Sequence, residues 1–224
     1  METFFAELDE ALDAKWAEIH AQPFWTHLRV NGLDRELYFM TMREIYHYTR
    51  HNTQNQALAA INTFSDNLKV LKFALHHAYA EAGHDQMVVA DLDSAGFDGK
   101  SIEGSRPLPE TLGLIGYLYR VAGTEGPVAR LGYSYWAENC YKHIVELTDA
   151  MRRLGLSDEQ MTFFVEHSVI DDAHFRQVCR TITDGAKTDA DRAAVKVVML
   201  ESLHLTGVML DGVYNCYVGA GIAA

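Results

Sequence analysis

The chain has 224 residues, 48% hydrophobic and 11% aromatic, enough to bury one sizeable core. Its 19 Lys and Arg stand against 31 Asp and Glu, a formal charge of −12, which argues against nucleic acid or anionic lipid bound through broad positive charge. Sixteen glycines, four prolines and 22% charged residues exclude collagen-like, proline-rich and disordered compositions.

Apolar residues recur at three- and four-residue intervals along almost the whole chain, and sustained alternation is scarce, so the sequence predicts one all-α domain over 1–224. The opening METFFAELDEALDAKWAEIH mixes acidic and apolar residues at helical spacing, unlike a targeting segment. No run approaches the length of a membrane span, so no membrane partner and a cytoplasmic location are expected. Breaks are expected at Gln22-Pro23, Asn31-Gly32, Asn62 to Asn67, Gly96 to Pro109, Gly123 to Pro127, Gly155 to Asp158 and Gly185 to Asp189. They leave roughly seven helices, the long ones over 34–62, 67–95, 126–154, 158–183 and 189–217, which suits a bundle with a shared interior. Ser65 or Asp66 can cap the helix that starts near residue 67, and Ser157 with Gln160 has the form of a capping box. Cys140, Cys179 and Cys216 lie far apart with no Cys-x-x-Cys pair, so neither a disulfide framework nor a thiolate zinc site is expected.

Eleven histidines are many for this length, and several share predicted helices with carboxylates. In FFVEHSVIDDAHFRQ, His167, Asp171 and His174 stand at i, i+4 and i+7, which places them on one helix face. The stretch ALHHAYAEAGHDQM repeats that spacing with His77, Glu81 and His84. Imidazole and carboxylate without thiolate or thioether suit Fe(II), Mn(II) or Zn(II), and lean towards oxygen chemistry at iron or manganese. Either stripe alone reads equally well as a solvated face; two on separate helices can converge on a pair of metals. Leu75, Ala78, Ala82 and Val88 near one stripe, and Phe164, Ile170 and Val178 near the other, predict partial burial. A divalent cation would then offset the desolvation of the buried carboxylates.

Other helices must add carboxylates. Glu138, in LGYSYWAENCYKHI, extends an inward face from Leu131 and Tyr135, its alternative being a surface pair with Lys142. Glu44, in YFMTMREIYHYTRHN, is a further candidate, although Arg43, His47, Arg50 and His51 crowd the same helix and an ion pair would serve it equally. His47 and His51, with no acid between them, read as pocket lining or as neighbours of the ligands.

These pieces together resemble the haem-oxygenase-like diiron oxidases and oxygenases, a seven-helix family that uses the haem oxygenase scaffold without haem. The matching pieces are Glu81-x-x-His84 followed by Asp91-Leu92 and Gly96, then Glu138 alone, then His167-x3-Asp171-x2-His174, in that order across most of the chain. The resemblance implies that Glu81, His84, Glu138, His167, Asp171 and His174 hold two Fe(II) ions, with Glu44 a further candidate and O₂ as cosubstrate. Some members place a carboxylate seven residues before the histidine, where this chain has His77. His77 is thus a ligand, a partner of a ligand, or neither.

Implied activities are N-oxygenation, desaturation or oxidative carbon–carbon cleavage of an amino acid, an amino-acid-derived metabolite or, alternatively, a fatty acid, with an external electron donor and a homodimer as candidate partners. Tyr46, Tyr48, Tyr135 and Trp136 suit an apolar substrate body, and Arg43 or Arg50 a carboxylate. Three rivals stand beside this reading. A haem-binding or haem-degrading protein would use His20; a metal-free thiaminase-like enzyme would use Cys140, which helical geometry turns about 200° away from Glu138; a non-catalytic binding protein would use neither.

Overall fold

Phe4, Leu8, Leu12, Trp16 and Ile19 recur every three or four residues, so the first helix, α1 (Glu2–His20), buries one side along its whole length. Pro23 opens α2 (Pro23–Asn31) and Gly32, at φ +81°, ends it. Asp34 starts α3 (Arg35–Thr49) by accepting from the Leu37 amide, and the same carboxylate accepts from the Tyr217 hydroxyl near the other end of the chain. There follow α4 (Asn52–Ile61), α5 (Leu68–Ala80), α6 (His84–Ser94), α7 (Pro109–Thr124), α8 (Gly126–Ala137), α9 (Val145–Arg153), α10 (Thr162–Gly185) and α11 (Asp189–Gly219). The computed structural model of the chain describes residues 1–62 and 67–221, and of 166–172 the backbone only; among the described residues there is no strand.

The all-α expectation therefore holds, but with eleven helices among the described residues in place of seven. Three of the five long predicted pieces are interrupted, 158–183 begins with a 3₁₀ turn before α10, and 189–217 runs unbroken as α11. Segment 34–62 turns at Arg50 and His51, both in ordinary right-handed conformation, and 126–154 turns through a short 3₁₀ stretch at Cys140–Lys142. Segment 67–95 breaks at Gly83, whose φ of +96° a side-chain-bearing residue adopts only under strain. Ser65 and Asp66 lie outside the described residues; Asn67 is the cap of α5, accepting from the Val70 amide. The Ser157–Gln160 capping box does form, but it opens a 3₁₀ turn one step before α10.

Two buried carboxylates start helices from a distance. Asp91 of α6 accepts from the Thr162 amide at 3.0 Å, the Thr162 hydroxyl at 2.7 Å and the Phe163 amide at 2.9 Å, fixing where α10 begins. Glu44 of α3 accepts from the Leu108 amide at 2.9 Å and the Thr111 hydroxyl at the start of α7, and its other oxygen pairs with Arg43 at 2.9 Å.

The last helix, α11, runs through the centre against α1, α2, α3, α7 and α8. It and α8 cross so closely at Gly132 that a Cβ there would lie 2.1 Å from the Val195 carbonyl oxygen. By length and composition α11 is apolar enough to cross a membrane, which corrects the expectation that no run comes near that length. Half of its most apolar window is buried in the domain, as an element with neighbours on several sides requires.

Candidate metal centre

The ends of α5 and α8 and the middle of α10 meet where the helices break. His77 lies in the last turn of α5, buried, with its ring stacked on Phe73 at 5.1 Å. One turn later Glu81 is the C-cap of α5, and Glu138 is the C-cap of α8, so both carboxylates sit at helix ends and both are buried. His174 comes in from α10, 5.7 Å edge-to-face from the His77 ring. One ligand atom from each of His77, Glu81, Glu138 and His174 lies within 4.8 Å of the other three.

Glu138 bridges the two imidazoles, with Oε1 2.9 Å from His77 Nε2 and Oε2 3.4 Å from His174 Nδ1. Burial by itself would raise its pKa, but the His174 and His77 contacts outweigh that and hold it well below the usual carboxylate range. The same opposition acts at Glu81. Burial pushes its pKa up, the His84 contact at 3.4 Å and the nearby His77 pull it down, and the net direction is down. His84 is correspondingly raised by Glu81 against its own burial. Both carboxylates are therefore ionised at neutral pH and held only by imidazoles among the described residues, with no Lys or Arg in ion-pair range. Two anionic oxygens and two imidazoles converging in a buried space form a donor set that fits a divalent first-row metal.

Of the residues expected at the site, the structure brings together Glu81, Glu138 and His174, places His77, whose role the sequence left open, among them, and sets His84 beside Glu81 at the cavity wall. Gly83 breaks the His77, Glu81, His84 stripe, so His84 starts a new helix where a continuation was expected. The side chains of His167 and Asp171, on α10 before His174, lie outside the described residues, as does that of Ile170. Glu44 is spent on Arg43, Leu108 and Thr111 and is absent from the described cluster. His47 meets Ser105 Oγ at 2.8 Å and His51 meets the Tyr119 hydroxyl at 3.1 Å; neither lines the cavity, and burial lowers the pKa of both. Ala78, Val88, Phe164 and Val178 are buried as expected, whereas Leu75 and Ala82 face out. Lys142 points away from Glu138 towards Asp13, 3.9 Å distant.

A cavity of about 120 Å³ opens from this cluster towards α1 and α2, walled by Tyr48, Tyr133, Trp136, Phe164, Trp25 and Trp16 among others. No Lys or Arg lines it among the described residues. Arg50 lies over the Tyr46 ring, Arg43 serves Glu44, and Tyr135 donates to Asp9, so these are not cavity groups. His20 turns Nε2 to the His143 carbonyl oxygen and packs 4.7 Å from Trp25, which leaves it engaged in the wall behind the aromatic rings. The break after Ala137 also changes the geometry expected for Cys140. It lines the same cavity as Glu138, contrary to the opposite placement that a continuous helix would have imposed.

Two groups near the site went unnoticed in the sequence. Gln56, 3% exposed, donates its amide to His77 Nδ1 from α4. Arg130, also 3% exposed, donates to Asn55 and Ser134 and stacks 4.9 Å over Tyr133, with no carboxylate in ion-pair range among the described residues; burial lowers its pKa to about 10. The signal for both was the amide series Asn52, Asn55 and Gln56 at i, i+3 and i+4, one face of the polar first half of α4.

Residues 40–206 match the family model described as iron-containing redox enzyme, a span that holds every member of the cluster. The chain belongs to the iron-containing redox enzyme family. No curated protein is a significant match. Among solved structures, a domain of unknown function with a haem oxygenase-like fold from Shewanella denitrificans OS217 is 40% identical over 98% of this chain and 96% of that one, with a TM-score of 0.94. TenA homologues share the fold at much lower identity. One from Pyrococcus furiosus is 14% identical over 94% of this chain and 100% of its own, TM-score 0.73; another from Pseudomonas syringae pv. tomato is 12% identical over 95% and 93%, TM-score 0.77. The fold is thus haem oxygenase-like, and the imidazole–carboxylate cluster of this family member is a site that could hold metal.

Proposed function

We propose that this member of the iron-containing redox enzyme family is a non-haem diiron oxidase or oxygenase, acting on a small molecule bound in the aromatic cavity beside the cluster. The observation that carries the reading is the convergence of His77, Glu81 and Glu138, buried at one end of that cavity, with the half-buried His174. His84, His167 and Asp171 would complete the set for a second metal. Iron held there would supply the electron transfer that couples O₂ reduction to substrate oxidation. The protein's own part is placement and exclusion of water. Tyr48, Tyr133, Trp136 and Phe164 give the substrate an apolar bed. With no cation in the described wall, the substrate lays an uncharged body along these rings and turns any charged group, such as an amino-acid amine or a carboxylate, towards the cluster.

The test is anaerobic loading with Fe(II), metal counting, and O₂ uptake with amino acids, amines and fatty acids as triggers. About two irons per chain and substrate-dependent O₂ uptake support the reading; no retained iron and no uptake defeat it. A second reading, metal-free thiol chemistry, gains from the placement of Cys140 on the cavity wall. Cys140→Ser separates the two: iron content and O₂ uptake survive it on the first reading, and a thiol-dependent activity is lost on the second.

A further inference from the structure

The hydrogen bonding around His77 is determined by its partners. Glu138 Oε1 lies 2.9 Å from His77 Nε2 and accepts in that contact, so its hydrogen belongs to His77 Nε2. Gln56 sets its side-chain amide nitrogen, which only donates, against Nδ1, so Nδ1 accepts through its lone pair. Both groups are buried, and the face of the ring is taken by Phe73. A cation held by Nε2 reverses this requirement: the hydrogen must sit on Nδ1, and the group facing Nδ1 must accept. A glutamine is suited to both states. Turning its terminal amide by half a revolution exchanges oxygen for nitrogen in almost unchanged shape, so Gln56 can satisfy either tautomer without moving α4.

We propose that Gln56 is a positioning residue for His77, its reversible amide matching the Nε2–H ring of the metal-free site and the Nδ1–H ring of the loaded one. The proposal rests on the reading of the cluster as a metal centre. It gives His77 a definite place as a nitrogen ligand whose orientation is set from α4, and it explains why the Gln56 amide is buried on that helix.

The probe is Zn(II) alone, added to the full chain, with long-range imidazole ¹H–¹⁵N spectra reporting the His77 tautomer and competition titration reporting affinity. The expected results are Nε2–H without metal and Nδ1–H with it. Gln56→Leu, which keeps the packing but neither donates nor accepts, lowers Zn(II) affinity by about 10–100-fold. Gln56→Glu, which only accepts, binds at least as tightly as the unaltered chain. Three results overturn the proposal: a His77 ring that keeps Nε2–H in the loaded protein, a Gln56→Leu affinity within twofold of the original, or Gln56→Glu falling as far as Gln56→Leu, which would mark a packing role. Failure of the unaltered chain to bind Zn(II) defeats the metal-centre reading itself, and the positioning role with it; the spectra of the unaltered protein decide the tautomer even where a variant does not fold.

Discussion

Replacing Glu44 by alanine separates a structural carboxylate from a metal ligand. The side chain is fully buried and its oxygens are occupied by Arg43, the Leu108 amide and the Thr111 hydroxyl. Removing it leaves the buried Thr111 hydroxyl and the part-buried Leu108 amide at the start of α7 without this partner and breaks one ion pair whose other member is partly exposed. An orphaned buried donor costs about 1–3 kcal/mol, and the Arg43 pair adds little because that side chain reaches water, so the total is about 3 kcal/mol. At roughly 2–4 °C per kcal/mol for a chain of this size, the melting temperature should fall by about 6–12 °C. Metal bound per chain at a temperature where the variant is folded should be unchanged, since Glu44 is absent from the described cluster. Calorimetry beside metal analysis of the same samples checks both numbers. A variant that melts like the original but loses metal would refute the reasoning and return Glu44 to the ligand set.

Asp91→Ala should cost about 3 kcal/mol in chemical denaturation, because its carboxylate takes three hydrogen bonds at the start of α10; a loss under 1 kcal/mol would show that α10 starts without it. It should also loosen metal binding, since α10 carries His174 into the cluster. His143 offers a pH test away from the metal. Burial, with Lys142 adding to it, lowers its pKa to about 4, and its ring is stacked on Trp16 at 5.1 Å. The folded value lies below the unfolded one of about 6.5, so the unfolded chain takes up the proton first. Its contribution is complete above pH 6.5 and is lost as pH falls through 4, about 2 kcal/mol of it between pH 7 and pH 5. Urea unfolding of His143→Gln at those two pH values should lack that share of the slope, and an identical slope in the variant would contradict the assignment.

Much of the fold was legible because its signals are local. Period-3.6 spacing identified the helices, and Pro23, Gly32, Gly155 and Gly185 stand at or beside their ends. The additional breaks are of two kinds. Arg50 and His51 turn the chain through ordinary right-handed conformations that any residue adopts, so nothing in the sequence marks the change. Gly83 did carry a signal, but the i, i+4, i+7 pattern across it invited a continuous helix. At the cluster, histidine–acid spacing pointed to His77, Glu81 and His174, and the inward face shared with Leu131 and Tyr135 pointed to Glu138. What spacing cannot encode is what packs opposite: that Glu44 meets the start of α7, that His47 meets Ser105, and that His77 turns inward onto Glu138. Those are long-range pairings, decided by how α3, α5, α7 and α8 settle against one another.

The most direct test of the metal-centre account is diffraction at the iron absorption edge from crystals loaded anaerobically with Fe(II). The account predicts anomalous density enclosed by His77, Glu81, Glu138 and His174. Well-ordered crystals with no such density there, or with iron bound only at another place such as His20, would contradict it.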